Sequence, residues 1–442
     1  MKNISLRIDR LPSTPMLKKI LLITGIGWMF DAMDQGMVSG VMAAIGKSWE
    51  LSTAQLGLLG SMSMLGMALG AALSGMVADK WGRRSVIMYT MVIYGIASIL
   101  SGFSVNYGML LVLRFITGFG LGGELPAAST LISEFSPAKI RGRNVVFLES
   151  FWAWGWILAA LVAYLLIPVF GWRAAFVIGG VPAIFAAFIR RGIPESPRFL
   201  DSAGREQEAD ELVRRMEEQA GISPFVPDAS VAAKGSDPHH RVSFLELWSK
   251  KYRRSTVVLW IIWFGINFGY YGFVLWTPSL LVDSGFALVR SFGFTLIMSL
   301  AQLPGYFSAA YLVEKIGRKK VLFIYFIGTA IAAWLFGQAG NTVQVLVFGC
   351  LLYFFSLGAW GCVYAYTPEA YPTAARASGA GWASAFGRIG AFIAPFVVPF
   401  VYGVSGKENG FHYVFFMLAG VFLVVAIIVG LFGKETMGKA LE

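Results

Sequence analysis

Charge is scarce in this chain. Asp, Glu, Lys and Arg make up 14% of its 442 residues, against about 25% in a soluble domain. That deficit excludes an ordinary water-soluble globule. Histidine is nearly absent: His239, His240 and His412 are the only three, and none lies in the expected transport core, so histidine metal chemistry is not expected. The two cysteines, Cys350 and Cys362, share one apolar stretch and offer neither a disulfide framework nor a metal site. No glycine-rich phosphate loop ending in Gly-Lys-Ser/Thr occurs, so ATP is not expected to drive the protein and no cofactor is implied. No nucleophile–base constellation stands out, which argues against an enzyme. No cleavable leader is expected before the first apolar segment.

What is abundant is apolar. Hydrophobic residues form 57% of the chain, with 36 Phe, 14 Trp and 51 Gly, and the mean hydropathy is +0.66. A membrane span needs about 20 apolar residues. Windows of that length predict twelve spans at 17–45, 54–78, 85–104, 107–132, 144–168, 173–190, 255–281, 291–313, 321–337, 342–366, 377–402 and 411–432. The expected class is therefore an all-α membrane protein of twelve transmembrane helices. Its domains are a six-helix half (1–190), a cytoplasmic central loop (191–254) and a second six-helix half (255–442).

The net charge of +11 could point to nucleic acid, but its placement does not. With residue 1 inside, 30 of the 36 Lys and Arg fall in cytoplasmic segments; Lys47, Arg173, Arg290 and Lys407 lie outside, and Arg114 and Arg388 lie within spans. The bias persists when the long central loop is set aside, so both termini are expected in the cytoplasm. In that loop, 195–219 reads as an amphipathic helix, 224–240 as loose, and 243–252 as a second short helix on the membrane face.

An internal repeat is the strongest signal. Gly75-Met-Val-Ala-Asp79-Lys-Trp-Gly82-Arg83-Arg84 after span two matches Ala310-Tyr-Leu-Val-Glu314-Lys-Ile-Gly317-Arg318-Lys319 after span eight, 235 residues on. Glu134-Phe-Ser-Pro137-Ala-Lys-Ile-Arg141 after span four matches Glu369-Ala-Tyr-Pro372-Thr-Ala-Ala-Arg376 after span ten, again at 235. One offset shared by two distant segments marks the halves as structural repeats. Acids on one loop and arginines on the next can latch helix ends together, making Asp79, Arg83, Glu134, Arg141, Glu314, Arg318, Glu369 and Arg376 candidate gating residues. The blander reading is that they only anchor the loops.

Charges inside the membrane are costly and call for a purpose. Asp31, Asp34, Arg114, Glu124, Glu149 and Arg388 fall within spans, and at the 235 offset each meets an uncharged residue: Ile266, Gly269, Gly349, Ala359, Ser384 and Ala153. The loop charges are duplicated and the intramembrane ones are not, as expected of a symmetric scaffold carrying one asymmetric site. Asp31 and Asp34 share a helix face. Asp34 and Arg114 lie at comparable depth, so they are expected to pair. Arg388, near the middle of span eleven, is a candidate to grip a carboxylate through two parallel hydrogen bonds; its alternative is to neutralise Asp31. Glu124 and Glu149 could bind substrate or brace a helix. Aromatic candidates at mid-depth are Trp28, Tyr270, Tyr271, Trp360 and Tyr364, and Asn267 and Gln302 could hydrogen-bond a ring nitrogen. For each of these, packing is an equal alternative.

The Gly75–Arg84 stretch resembles the signature loop of the major facilitator superfamily. Pro194-Glu195-Ser196-Pro197-Arg198 and the Glu134/Arg141-Gly142-Arg143 loop resemble its sugar-porter and organic-ion-transporter branches. Trp28-Met-Phe-Asp31-Ala-Met-Asp34, Gly120-Leu-Gly-Gly-Glu124-Leu-Pro126, Leu148-Glu149-Ser-Phe-Trp152, Ala301-Gln302-Leu-Pro304-Gly305-Tyr306 and Gly358-Ala-Trp360 through Arg376 are similar to the bacterial niacin permeases. The resemblance implies a monomeric secondary transporter in the bacterial cytoplasmic membrane, importing nicotinate by alternating access with protons as coupling ion. It also implies that Asp34 with Arg114, or else Asp31, forms the proton switch. Rivals are a symporter for another aromatic acid such as a benzoate, an organic-cation transporter, and a non-transporting nutrient sensor.

Overall fold

The computed structural model describes residues 4–223, 244–371 and 373–436. Its helices are α1 (Ile4–Asp9), α2 (Pro15–Ser48), α3 (Thr53–Trp81), α4 (Arg83–Gly102), α5 (Tyr107–Phe135), α6 (Ala138–Leu165), α7 (Ile167–Phe170), α8 (Trp172–Ile178), α9 (Val181–Gly192), α10 (Pro197–Ser202) and α11 (Glu206–Gln219). They continue with α12 (Arg253–Val274), α13 (Thr277–Asp283), α14 (Leu288–Leu300), α15 (Gln302–Ile316), α16 (Arg318–Gly337), α17 (Thr342–Glu369), α18 (Thr373–Val404) and α19 (Gly406–Phe432).

Among the described residues, ten segments are long and apolar enough to cross a membrane, with α14 and α15 forming one of them. The remaining two expected spans are present in another form. α2 runs for 34 residues but carries Asp31 and Asp34 in its middle. Span six is α8 and α9, broken where Gly179-Gly180 precede Pro182, because proline cannot donate to the preceding turn. In the central loop, the single helix expected over 195–219 is two, separated at Gly204 with φ 75°. The second short helix expected at 243–252 is only a 3-10 turn, Glu246–Trp248, and the loose 224–240 stretch lies outside the described residues.

The repeat extends to backbone detail. Asn106 caps α5 by accepting from the Met109 N–H at 2.8 Å, and Asn341, 235 residues on, caps α17 by accepting from Gln344 N–H at 3.0 Å. Gly82 and Gly317, which turn the chain into α4 and α16, have φ of 90° and 100°, a region that L side chains avoid.

By packing, the chain forms two compact units. The first comprises Met1–Asp34, Leu65–Gly155 and Phe176–Pro238; the second comprises Gln35–Met64, Trp156–Ala175 and His239–Glu442. In the first, α4 packs on α5 and α9, and α1 docks on α11. That docking centres on Arg7, 3% exposed, which donates to Asp210 at 2.6 Å and to both oxygens of Glu217 at 2.7 and 3.1 Å. In the second unit, the ends of α2, α3 and α6 remote from the chain termini pack against α12, α14 and α18. Small residues allow this: Gly57 of α3 lies against the Pro395 carbonyl of α18, and Gly40 of α2 faces Phe292 of α14 as well as Ala163 of α6. Hydroxyls fasten it, with Ser39 donating to the Val274 carbonyl and Ser61 to the Phe392 carbonyl, each at 3.0 Å.

Candidate functional site

In the first unit the structure brings Asp34 and Arg114 together. Asp34 comes from the middle of α2 and Arg114 from the second turn of α5. Arg114 Nη1 donates to Asp34 Oδ2 at 3.0 Å, and neither side chain is more than 1% exposed. Asp34 Oδ1 accepts from the Ser98 hydroxyl at 2.6 Å. Arg114 Nη2 donates to Thr117 Oγ1 at 2.9 Å and to Ser101 Oγ at 3.3 Å, while its guanidinium lies 4.3 Å from the centre of the Phe176 ring. Breaking one partner of such a buried pair costs about 3–5 kcal/mol, unless a proton neutralises the acid at the same moment. Ser98, Ser101, Thr117 and Phe176 were not legible beforehand, because serines and phenylalanines are too common for any one to stand out.

Trp28 packs on Trp152 with ring centres 4.8 Å apart and sits beside the Glu149 carboxyl. Asp31 is 2% exposed and both its oxygens lack a hydrogen-bond partner, as do both oxygens of Glu124.

The other candidates gather in the second unit on α12, α15, α17 and α18. Tyr270 donates to Gln302 Oε1 at 3.2 Å. Trp360 stands edge-on to Tyr270 at 6.0 Å and stacks on Tyr364 at 5.7 Å. Trp263, which was not among the expected residues, completes the group: its ring is edge-on to both Trp360 and Tyr364, at 5.8 and 5.4 Å. Its indole N–H is spent on Thr367 Oγ1 at 3.0 Å. Asn267 donates to the Trp263 carbonyl at 2.8 Å, so its amide fastens α12 internally. Gly387 lets α18 approach α12 against Trp263 and Asn267, which carries the next residue, Arg388, to the α12 face and into electrostatic reach of Tyr271. Arg388 is half-buried and makes no ion pair or hydrogen bond among the described residues. Gln302 Nε2 and Trp360 Nε1 are buried donors without an acceptor. Among the described residues the fully buried atoms of this aromatic cluster left without a partner are therefore donors, the Gln302 amide and the Trp360 indole N–H, and the half-buried guanidinium of Arg388 adds a third.

The loop charges form two equivalent latches, one in each unit. Arg83 pairs with Glu134 at 3.2 Å, and Arg318 pairs with Glu369 through two bonds of 2.9 and 3.1 Å. Each arginine also donates back to the carbonyl five residues earlier, Ala78 or Val313. A further acid caps each helix start. Glu195 accepts from the backbone N–H of Arg83 and Arg84 at 3.1 and 3.3 Å, and Glu435 accepts from that of Arg318 at 2.9 Å, where a helix N-terminus favours negative charge. Glu435 escaped notice because Glu435-Thr436 echoes Glu195-Ser196 at an offset of 240, not 235. Arg141 pairs with Asp9 of the N-terminal helix at 3.5 Å, and Arg198 joins the same carboxylate at 3.3 Å. Glu314 is exposed without an ion pair among the described residues, and the side chains of Asp79 and Arg376 lie outside the described set.

Comparison with known proteins identifies the lineage. The sugar (and other) transporter family model matches residues 25–442. The niacin transporter NiaP of Acinetobacter baylyi is 48% identical over 436 residues, covering 99% of this chain and 98% of that one. A putative niacin/nicotinamide transporter of Bacillus subtilis is 42% identical, covering 96% and 98%. Among solved structures, the inward-open xylose transporter XylE from E. coli superposes with a TM-score of 0.78 at 21% identity, over 96% of this chain and 98% of that one; it shares the fold. The chain is a member of the sugar (and other) transporter family, a membrane transporter with the twelve-helix major facilitator fold and not an enzyme.

Proposed function

We propose that the protein imports nicotinate across the bacterial cytoplasmic membrane, coupled to protons, as a monomer with both termini in the cytoplasm. One observation carries the substrate. Two buried donors without an acceptor, Gln302 Nε2 and Trp360 Nε1, stand at the Trp263–Tyr270–Trp360–Tyr364 cluster beside the Arg388 guanidinium, and nicotinate is a flat ring bearing only acceptors, two carboxylate oxygens and a pyridine nitrogen. Arg388 takes the carboxylate through a fork of parallel N–H bonds. Gln302 or Trp360 serves the pyridine nitrogen. The aromatic faces add about 0.5–1.5 kcal/mol beyond burial. The printed names of the Acinetobacter and Bacillus relatives agree with this substrate.

Coupling follows from the first unit. With Asp34 charged, Arg114 is held across α2 and α5. Protonation of Asp34 removes the counter-charge, and Arg114 remains on Ser101, Thr117 and Phe176, so the helices can shift past one another without stranding a buried anion. The halves 1–190 and 255–442 then move as the rocking bodies, joined by 191–254, with the Arg83–Glu134 and Arg318–Glu369 latches closing the cytoplasmic ends of their helices. Arg141 and Asp9 extend the first latch to the N-terminal helix.

Uptake of labelled nicotinate into vesicles, with and without an inward proton gradient, tests this. Stimulation by the gradient, with strong competition by unlabelled nicotinate and weak competition by nicotinamide and benzoate, is the expected result. Equal competition by benzoate would favour the second reading, a symporter for aromatic acids at large, because benzoate lacks the ring nitrogen. Transport of organic cations is disfavoured by the unpaired Arg388.

A further inference from the structure

Spans one to six carry four acids in their apolar interiors, Asp31, Asp34, Glu124 and Glu149, but a single arginine, Arg114. Arg114 is spent on Asp34. Glu149 lies beside Trp28. Asp31 and Glu124 face each other with no cation between them among the described residues, and all four of their oxygens are buried without a partner at hydrogen-bond geometry. Their contact is built by the backbone. Gly27, one helical turn before Asp31 on α2, leaves the space that Glu124 Oε1 occupies; a Cβ at Gly27 would come within 2.7 Å of it.

A third group points the same way. Ser98 on α4 donates to Asp34, so Tyr94, one turn earlier on α4, stands at the level of Asp31, three residues before Asp34. Tyr94 also packs on Gly120, one turn before Glu124 on α5. Its hydroxyl is fully buried, reaches toward Asp31 just short of hydrogen-bond geometry, and is in electrostatic contact with both carboxyls. The titratable groups facing the pair are thus Tyr94 from α4 and Asp34 from α2.

We propose that Asp31 and Glu124 form a second proton-binding site, holding one shared proton that travels with the substrate in addition to the proton at Asp34. This rests on the transport reading above. Two carboxylates are acceptors only, so in contact they repel and leave four oxygens unsatisfied. One proton turns the contact into an O–H···O hydrogen bond and lowers the pair's charge to a single negative one. The Tyr94 hydroxyl then supplies a second donor. Such pairs ionise as a unit, sharing one proton. A divalent cation fits worse: calcium takes six to eight oxygens, and the pair with Tyr94 offers five.

The test is the proton-to-nicotinate ratio of purified protein in proteoliposomes, read from the pH gradient and membrane potential that just reverse labelled nicotinate flux. The expected ratio is two for the unaltered protein and one for Glu124→Gln and for Asp31→Asn. A ratio of one in the unaltered protein overturns the proposal without recourse to any variant. So does a ratio of two in either variant, or a reversal point set by sodium. If the unaltered protein moves no nicotinate, the substrate reading fails by itself. The pair is then decided by infrared spectra of the purified protein near neutral pH, which need no substrate. A protonated-carboxyl band that shifts in Tyr94→Phe supports it, and absence of that band overturns it.

Discussion

Ser39 and Val274 occupy the same position in the two repeats, 235 residues apart, and the Ser39 hydroxyl donates to the Val274 carbonyl at 3.0 Å. Repeat-related residues can touch only where they straddle the axis that relates the repeats, so this bond marks that axis at the ends of α2 and α12 remote from the termini. It ties the first helix of one half to the first helix of the other within a single packed unit. Opening on that side must therefore begin by parting these two helices.

Removing that tie should bias the protein toward opening there. In Ser39→Ala one hydroxyl bond is lost, worth about 1 kcal/mol, or roughly a five-fold shift between the two forms. Accessibility of a cysteine placed at Ser299, which lines the same seam, to a membrane-impermeant thiol reagent should rise accordingly. An unchanged labelling rate would mean that the bond does not contribute to closure.

Arg388→Ala should weaken nicotinate binding to purified protein by about 10–100-fold, the worth of a charge-assisted hydrogen bond. Nicotinamide, with no carboxylate to lose, should bind equally to both forms. Equal loss for the two compounds, measured by calorimetry, would place Arg388 in packing instead of recognition.

Asp34→Asn should abolish accumulation against a gradient while leaving exchange of preloaded nicotinate measurable. The amide imitates the protonated acid and cannot hold Arg114 by charge. Normal accumulation in this variant would make the Asp34–Arg114 pair a fixed brace.

Glu369→Gln should lower transport rate several-fold with little change in nicotinate affinity, because it opens the bidentate Arg318 latch at the membrane surface. Glu134→Gln should act in the same direction but less strongly, since the Arg83–Glu134 contact is single and longer. Rate and equilibrium binding measured together decide this; a loss of affinity matching the loss of rate would tie the latch to the substrate site.

Docking of the N-terminal helix should be acid-sensitive. Burial pushes the Glu217 carboxyl up, but hydrogen bonds from Arg7 and Arg10 and their charges outweigh it and hold it below the ordinary glutamate range. A carboxyl depressed in the folded state stabilises above its unfolded pKa, about 4.3, and that contribution is lost as pH falls through the lower folded value. Hydrogen-exchange protection of residues 4–9 should therefore persist at neutral pH and fall away below about pH 4. Arg7→Ala, which leaves Asp210 and Glu217 without their shared cation, should abolish the protection at every pH.

The repeat made much of this architecture legible, because an offset is exact where hydropathy is blurred. Arg83, Glu134, Arg318 and Glu369 could be matched before any contact was known, and they do form ion pairs. Asp34 and Arg114 could be placed at one depth by counting residues along two helices. Other features had no such arithmetic. The break at Gly179-Gly180 hid inside an apolar run, and the 243–252 segment has amphipathic composition yet forms only the turn at Glu246–Trp248. Asn267 looked like a free amide in the sequence; only the structure shows it bonded to the Trp263 carbonyl. Contact between Asp31 and Glu124 depends on which faces α2 and α5 turn toward each other, which spacing within either helix does not determine.

The two ends of the helices are fastened by different chemistry, and this has a consequence for the cell that carries them. At the termini the fasteners include arginine–carboxylate pairs, partly open to solvent; at the far side they include hydroxyl–carbonyl bonds and close approaches of glycine and alanine. Dissolved salt weakens the first kind, over a Debye length of about 8 Å at physiological strength, and leaves the second largely untouched. In the orientation proposed above, with the termini inside, the salt-sensitive fasteners face a cytoplasm of regulated composition, and closure on the far side rests on contacts that the salinity of the medium leaves largely untouched.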